Sequence, residues 1–168
     1  MIFKKFFNYS ADKVQYFAEK FALSPRICDL ILSRGISTEL EFEEFLNPKI
    51  MHNPFDLKGM QQLVDRVKLA KELKDRVLIF GDYDVDGATS TALMIKFFRA
   101  INVNVNSYVP DRLEEGYGLN IESVKFLKTK NTDLIITVDC GISCHDAVDY
   151  ANSLGIDVVI TDHHLGSP

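Results

Sequence analysis

After residue 75, short segments rich in β-branched and aromatic residues alternate with helical patterns. The segments are VLIF (77–80), NVNSYV (104–109), LIITV (134–138) and DVVIT (157–161). Three of them are almost entirely apolar, as is typical of parallel strands covered on both faces. Strands that alternate with helices at this spacing predict an α/β fold, with a mostly parallel sheet, flanking helices and right-handed crossovers.

The earlier part of the chain predicts a small helical region instead. Thr38 and Glu41 match a capping box at a helix N-terminus. A longer amphipathic pattern follows over residues 60–75. We therefore predict an N-terminal helical region over residues 1–75 and a sheet domain over residues 76–168.

Composition narrows the class of protein. The chain has 168 residues, of which 46% are hydrophobic and 26% charged, as in a globular protein. No apolar run approaches the roughly 18 residues of a membrane span, so neither a membrane partner nor a secretory signal is expected. The three cysteines, Cys28, Cys140 and Cys144, match no zinc-site spacing and predict free thiols in a reducing cytoplasm. The net charge of -5 does not favour general binding of polyanions.

Acidic and imidazole residues follow three of the predicted strands directly. In chain order they are Asp82, Asp84 and Asp86 after the first strand, Asp139 after the third, and Asp162, His163 and His164 after the fourth. Ligands of open α/β sheets bind at the carboxyl ends of the strands, where parallel neighbours meet. We therefore expect these side chains to converge on one crevice.

Three other interpretations of the aspartate run account for less of the pattern. A calcium loop needs a Glu six residues after Gly87, where Leu93 stands, and a preceding helix rather than a strand. A haloacid-dehalogenase-like phosphatase would use Asp84 as its nucleophile, and its usual Asp-x-Asp-Gly-Thr run is nearly present, with Ala88 inserted. That alternative leaves Asp139 unexplained but stays open. Solvated turn residues would explain any one aspartate, but not the whole set.

A metal site explains the residue types better. Neighbouring carboxylates repel, and one of them is pushed towards its neutral form unless a cation lies between them. Oxygen-rich ligands with imidazole suit Mn²⁺ or Mg²⁺. Two such ions about 4 Å apart could bridge a phosphate, activate a water and stabilise the leaving oxygen. The pattern therefore predicts hydrolysis of a phosphodiester or phosphoanhydride.

Whole stretches of the sequence also resemble a known family. DYDVDG, TVDCG and TDHH resemble the first three motifs of the DHH phosphoesterase superfamily, and SRGISTELEFEEFLNP, GDYDVDGATS and VPDRLEEGYGLN resemble the RecJ-type single-stranded-DNA-specific exonucleases. The resemblance implies a DHH-type domain and a 5′-to-3′ exonuclease of DNA repair and recombination. Oligonucleotide phosphodiesterases, pyrophosphatases and a non-catalytic binding module stay open as alternatives.

The resemblance implies a metal-binding role for five of these residues. Asp82 and Asp84 would bind one Mn²⁺ or Mg²⁺ ion, and Asp86 would contribute to a second ion. Asp139 would bridge the two ions, and His163 would be an imidazole ligand.

It also implies roles for residues around the metal ligands. Asp162 would orient the His163 imidazole. His164 would contact the scissile phosphate and act as an acid or polarising donor. Asp139 and His164 are therefore the predicted catalytic residues. Arg112, Tyr117 and Ser90 would hold the nucleic-acid backbone near the site.

The resembling family carries a fourth motif with a further aspartate ligand, and then a C-terminal substrate-binding domain. This sequence ends at TDHHLGSP, after the third motif. We therefore expect the polypeptide alone to bind metal weakly and to cleave little or nothing. The implied partners are single-stranded DNA, the DHH-associated domain in cis, and a repair helicase or single-strand-binding protein.

Overall fold

The computed structural model describes residues 9–48, 52–111 and 116–166. The chain divides into two compact units, Met1–Asp56 and Leu57–Pro168. The long amphipathic helix predicted over residues 60–75 belongs to the second unit. Among the described residues, no helix combines the length and apolarity needed to cross a membrane.

The first unit is a small helical cluster. Its helices are α1 (Ala11–Phe21), α2 (Pro25–Leu32) and α3 (Glu39–Leu46), followed by a 3₁₀ turn at Pro54–Asp56. Thr38 and Glu41 form the predicted capping box of α3, and the Ser24 hydroxyl caps α2. Phe17 and Phe42 are buried at the centre of the cluster, with ring centroids 4.4 Å apart. The predicted N-terminal helices are therefore present.

The second unit is a sheet flanked by helices. Its elements are α4 (Met60–Leu73), β1 (Arg76–Gly81), α5 (Val85–Ala100), β2 (Asn104–Tyr108), α6 (Ile121–Thr129), β3 (Leu134–Val138), α7 (His145–Ser153) and β4 (Asp157–Thr161). Within the described part of this unit, four parallel strands form one sheet in the order β2-β1-β3-β4. The predicted α/β class, with a parallel sheet and flanking helices, is confirmed.

Apolar side chains on the two faces of the sheet pack under different helices. Leu78 and Phe80 of β1 point to a cluster with residues of α6 and α7. Val77 and Ile79, the alternate residues of the same strand, point to a cluster with residues of α4 and α5. Both faces of the central strands are thus covered, which explains their nearly continuous apolar sequence.

Strand register determines which side chains leave the sheet side by side. Gly81 of β1 pairs with Val138 of β3, and Val138 pairs with Thr161 of β4. The residues that follow these three positions are Asp82, Asp139 and Asp162. Because neighbouring strands lie about 4.8 Å apart, these aspartates begin one strand spacing from each other.

Candidate metal centre

Acidic and imidazole side chains converge at the carboxyl ends of the strands. Possible ligand atoms of Asp82, Asp84 and Asp139 lie within 4.8 Å of one another, and so do those of Asp139, His163 and His164. Asp139 belongs to both groups, which is the position predicted for a bridging carboxylate. The convergence expected from the strand ends is therefore present in the structure.

The turn between β1 and α5 places the first two carboxylates. Asp82 is buried, and its Oδ1 accepts a hydrogen bond of 2.7 Å from the Tyr83 amide. Asp84 is the N-cap of α5, and its Oδ1 accepts a bond of 3.0 Å from the Gly87 amide. A Cβ atom on Gly87 would lie 2.4 Å from the carbonyl oxygen of Asp82. Only glycine therefore lets the first turn of α5 pass so close to Asp82.

Asp139 adopts a left-handed backbone conformation immediately after β3. Its φ is 62°, a region that costs a non-glycine residue roughly 1–2 kcal/mol and that aspartate tolerates better than most residues. Its amide donates a 2.9 Å hydrogen bond to Thr161 O, and its carbonyl oxygen accepts one of 3.2 Å from the Tyr117 hydroxyl. Its Oδ1 lies 2.9 Å from His163 Nε2. The turn thus directs the Asp139 carboxylate towards the other candidate ligands.

Electrostatics within the cluster favour a cation. Burial and the neighbouring Asp84 carboxylate raise the pKa of Asp139. The hydrogen bond from the Gly87 amide lowers the pKa of Asp84, and a hydrogen bond with Asp139 contributes to the same shift. Across residues 9–48, 52–111 and 116–166, no lysine or arginine forms an ion pair with either carboxylate. Crowded carboxylate oxygens beside imidazole nitrogens fit the ligand preferences of Mn²⁺ and Mg²⁺.

The structure corrects the role that the sequence predicted for Asp162. Its side chain is only 1% exposed, and its Oδ1 accepts hydrogen bonds from the backbone amide and from Nδ1 of His164, at 3.0 and 2.6 Å. Asp162 was predicted to orient His163, but that imidazole lies against Asp139 instead. Adjacent side chains of an extended segment point in opposite directions, whereas those two residues apart share a side. The carboxylate therefore meets the second histidine rather than the first.

His164 is consequently held as a potential hydrogen-bond donor. The bond to Asp162 raises the pKa of His164, because the carboxylate stabilises the imidazolium. Burial opposes ionisation of Asp162, but hydrogen bonds from the amides of His164 and Ile142 and from the His164 imidazole together outweigh it. The net effect lowers the pKa of Asp162. Asp162 thus remains a carboxylate that fixes the His164 ring and ties the end of β4 to the loop after β3.

The remaining predicted residues lie around this centre at different distances from it. Asp86 and Ser90, on the first turns of α5, line an open groove of about 520 Å³ together with Asp139 and His163. Asp86 is outside both groups of clustered ligand atoms. Ser90 donates its hydroxyl to the Asp86 carbonyl oxygen at 2.6 Å. Arg112 lies outside the described residues.

A second groove, of about 670 Å³, adjoins the other side of the centre. Tyr83 and Tyr117 line it together with Ile142 and Leu165, and the two tyrosine rings meet edge to face at 6.4 Å. Sequence reasoning did not identify Tyr83. The signal was its position between Asp82 and Asp84, two predicted ligands that line the same groove.

Comparisons with known proteins identify the family that the sequence motifs resemble. The family model described as "DHH family, N-terminal domain" matches residues 76–168. A single-stranded-DNA-specific exonuclease RecJ of Bacillus subtilis is 39% identical over 159 residues, which cover 94% of this chain and 20% of the relative. The exonuclease of the same name from Escherichia coli is 40% identical over 144 residues, or 85% of this chain and 25% of the relative.

Solved structures with a similar fold include metal-bound members. A crystal structure of exonuclease RecJ bound to manganese matches with a TM-score of 0.62 and 37% identity, and the match covers 67% of this chain and 29% of the other. RecJ of Thermus thermophilus in complex with Mn²⁺ matches with a TM-score of 0.65 and 26% identity, over 95% of this chain and 22% of the other. The chain spans only about a fifth to a quarter of the length of the Bacillus subtilis and Escherichia coli relatives.

Proposed function

The chain belongs to the DHH family, and from that membership we propose that it carries most of a two-metal centre for phosphodiester hydrolysis in single-stranded DNA. The observation that carries the proposal is the convergence of Asp82, Asp84, Asp139, His163 and His164 at one edge of the sheet. Residues 76–168 would be the N-terminal part of a DHH domain. The proposed activity is that of a 5′-to-3′ exonuclease in DNA repair and recombination.

Each residue of the centre has a proposed task. Asp82 and Asp84 would hold one divalent ion, Asp139 would be shared between two ions, and His163 would be an imidazole ligand in place of its contact with Asp139. Asp86 completes the second site from the first turn of α5. When bound there, Mn²⁺ or Mg²⁺ would supply Lewis-acid chemistry, which lowers the pKa of an attacking water and stabilises charge on the leaving oxygen.

The proposed role of His164 is to act on the phosphate rather than on the water. Its Nδ1 faces Asp162 at 2.6 Å, so the ring is oriented and Nε2 is the nitrogen left for substrate. The raised pKa favours the protonated ring, which donates a hydrogen bond to a non-bridging oxygen or a proton to the leaving oxygen. Asp162 supports this role by keeping its own charge buried beside the imidazole.

Single-stranded DNA is the proposed substrate because both curated relatives are named as exonucleases specific for it. The grooves on the two sides of the centre give a strand a path past the metal ligands. Tyr117 and Ser90 line that path, and with Arg112 they are the proposed contacts to the backbone. The haloacid-dehalogenase alternative is set aside, because the chain belongs to the DHH family and the Asp84 carboxylate caps α5.

The relatives' length supports a further part of the proposal. Because the chain matches only 20–25% of each relative, we propose that another domain in cis supplies the remaining ligand and closes over the strand. A repair helicase or a single-strand-binding protein is the proposed kind of protein partner. The thiols of Cys28, Cys140 and Cys144 are all free, as is usual in the reducing cytoplasm where we propose that the protein acts.

Metal binding by the chain itself tests the first half of the proposal. Mn²⁺ should raise the melting temperature of the parent chain, because a ligand of the folded state stabilises it by mass action. Asp139→Asn should abolish this rise, while Asp157→Asn, at the opposite end of the sheet, should retain it. An equal rise in the parent and in Asp139→Asn would contradict the proposed site.

Cleavage is best tested in a chimera. In the chimera, this chain replaces the 159 aligned residues of the Bacillus subtilis relative. The substrates to be tested are single-stranded and duplex oligonucleotides labelled at either end. The chimera should shorten only the single strand, from its 5′ end, and Asp139→Asn should stop it. A folded chimera that hydrolyses pyrophosphate but not DNA, or whose DNA cleavage survives Asp139→Asn, would overturn the proposal.

A further inference from the structure

We infer that Tyr117 is a positioning residue for the metal centre, whose hydroxyl holds Asp139 in the left-handed conformation that aims its carboxylate at the other ligands. The inference rests on the proposed function in one respect, since it assumes that Asp139 binds metal. It assigns to Tyr117 a role different from the contact with the nucleic-acid backbone that the sequence resemblance implies.

Hydrogen bonds hold the backbone of Asp139 through both its amide and its carbonyl group. Strand β3 ends at Val138, so the carbonyl group of Asp139 lies beyond the sheet ladder. The Asp139 amide is held by Thr161 O, while its carbonyl oxygen accepts the hydroxyl of Tyr117 at 3.2 Å. Because φ is 62° at a residue that is not glycine, neighbouring contacts have to maintain it. The hydrogen bond from the Tyr117 hydroxyl to the Asp139 carbonyl oxygen is such a contact.

The same hydroxyl also reaches the phosphate-facing histidine. Its oxygen lies 3.4 Å from His164 Nδ1, and that nitrogen donates to Asp162. The Tyr117 hydroxyl can accept a share of this proton while donating its own to the Asp139 carbonyl. One side chain thus contacts both the backbone of the proposed bridging residue and the ring of the proposed acid. Tyr117 itself lies in the loop before α6.

The ring of Tyr117 is held independently of its hydroxyl. It meets Tyr83 edge to face at 6.4 Å and His164 edge to face at 6.2 Å. Phenylalanine should therefore keep the same ring position and lose only the hydroxyl. The residue as a whole is 53% exposed, so the substitution removes little from the core.

The test compares the parent chain with Tyr117→Phe and with Tyr150→Phe, a matched control on α7. Carbon chemical shifts of Asp139 and Cys140, measured by NMR without metal, report the backbone conformation of the turn. Mn²⁺ titration then gives the affinity, and the electron paramagnetic resonance spectrum of bound Mn²⁺ gives the symmetry of the site.

Tyr117→Phe should move the Asp139 shifts away from left-handed values and weaken Mn²⁺ binding about tenfold, the effect typical of groups that orient metal ligands. The melting temperature without metal should stay at the parent value, and Tyr150→Phe should change none of these quantities. Parent-like shifts together with parent-like affinity would overturn the inference, even if DNA binding fell, because Tyr117 would then be a substrate contact alone. If the parent binds no Mn²⁺, the proposed function fails, while the metal-free shifts still decide the role of Tyr117.

Discussion

Aspartates lie at both ends of the sheet, but the partners of their carboxylates differ. At the amino ends of the strands, Asp75 and Asp157 lie 2.8 and 2.6 Å from nitrogens of Arg66. Asp133, next to them, accepts the amide of Arg76 at 2.9 Å. At the carboxyl ends, the clustered aspartates face one another and two histidines, with no arginine or lysine ion pair in the described parts of the chain.

We use this contrast to separate carboxylates that support the fold from those that we propose bind a metal ion. A carboxylate paired with a cation from its own chain has its charge compensated in the folded protein. The carboxyl-end cluster has no such compensation, so folding alone leaves a repulsion that a divalent ion would relieve. We therefore expect substitutions at the amino end to change stability alone, and substitutions at the carboxyl end to change metal binding.

The largest effect on stability is expected from Gly87→Ala at the carboxyl end. The new Cβ would lie 2.4 Å from Asp82 O and 2.6 Å from its carbonyl carbon, so backbone atoms have to move. We expect a loss of about 3 kcal/mol in the free energy of unfolding and loss of Mn²⁺ binding.

The matched control for this substitution is Gly155→Ala at the amino end. Gly155 has a φ of 72° but no atom within 4 Å of the added Cβ, so only the backbone cost of about 1 kcal/mol applies. Urea unfolding of both variants measures the difference. Equal losses of unfolding free energy in the two variants would show that Gly87 is not in close contact with the backbone of Asp82.

Arg66→Met should have an intermediate effect at the amino end. The substitution leaves Asp75 without its cation, and Asp75 is only 11% exposed. We expect a loss of about 2 kcal/mol in the free energy of unfolding, below the cost of breaking a fully buried pair because Asp157 is largely exposed. Mn²⁺ affinity should stay at the parent value.

Lys68→Met is the control, because it removes only an exposed pair with Asp65 and should cost less than about 0.5 kcal/mol. Denaturant unfolding and Mn²⁺ titration are measured on both variants. A fall in Mn²⁺ affinity in Arg66→Met would indicate that the two ends of the sheet are coupled.

The smallest effect on stability is expected from Asp84→Asn. Asparagine caps a helix about as well as aspartate, so α5 should keep its N-cap. Without metal, the melting temperature should rise slightly, since the repulsion with Asp139 is removed. With Mn²⁺ in excess, the variant should melt below the parent, and scanning calorimetry with and without Mn²⁺ measures both shifts. A lower melting temperature without metal would mean that the Asp84 charge supports the fold.

Much of this architecture could be predicted from sequence, because it depends on short-range patterns. Apolar runs alternating with helical patterns gave the strand positions, and residue types at the strand ends gave the cluster around Asp82 and Asp139. Long-range packing could not be predicted, since the pattern of α4 does not say which face of the sheet the helix covers. Single-residue geometry also escaped prediction, as in the left-handed turn at Asp139, the Asp162 bond to His164 and the Tyr117 hydroxyl beneath the turn.

Crystals of the chain soaked in MnCl₂, with diffraction collected at the manganese absorption edge, would locate bound ions without reference to activity. We predict anomalous peaks about 2.2 Å from carboxylate oxygens of Asp82, Asp84 and Asp139, with His163 Nε2 turned from Asp139 onto an ion. We predict no peak beside Asp75 or Asp157. Peaks at the amino end of the sheet, or a soaked crystal in which His163 still lies against Asp139 and no ion is present, would contradict the division of roles between the two ends.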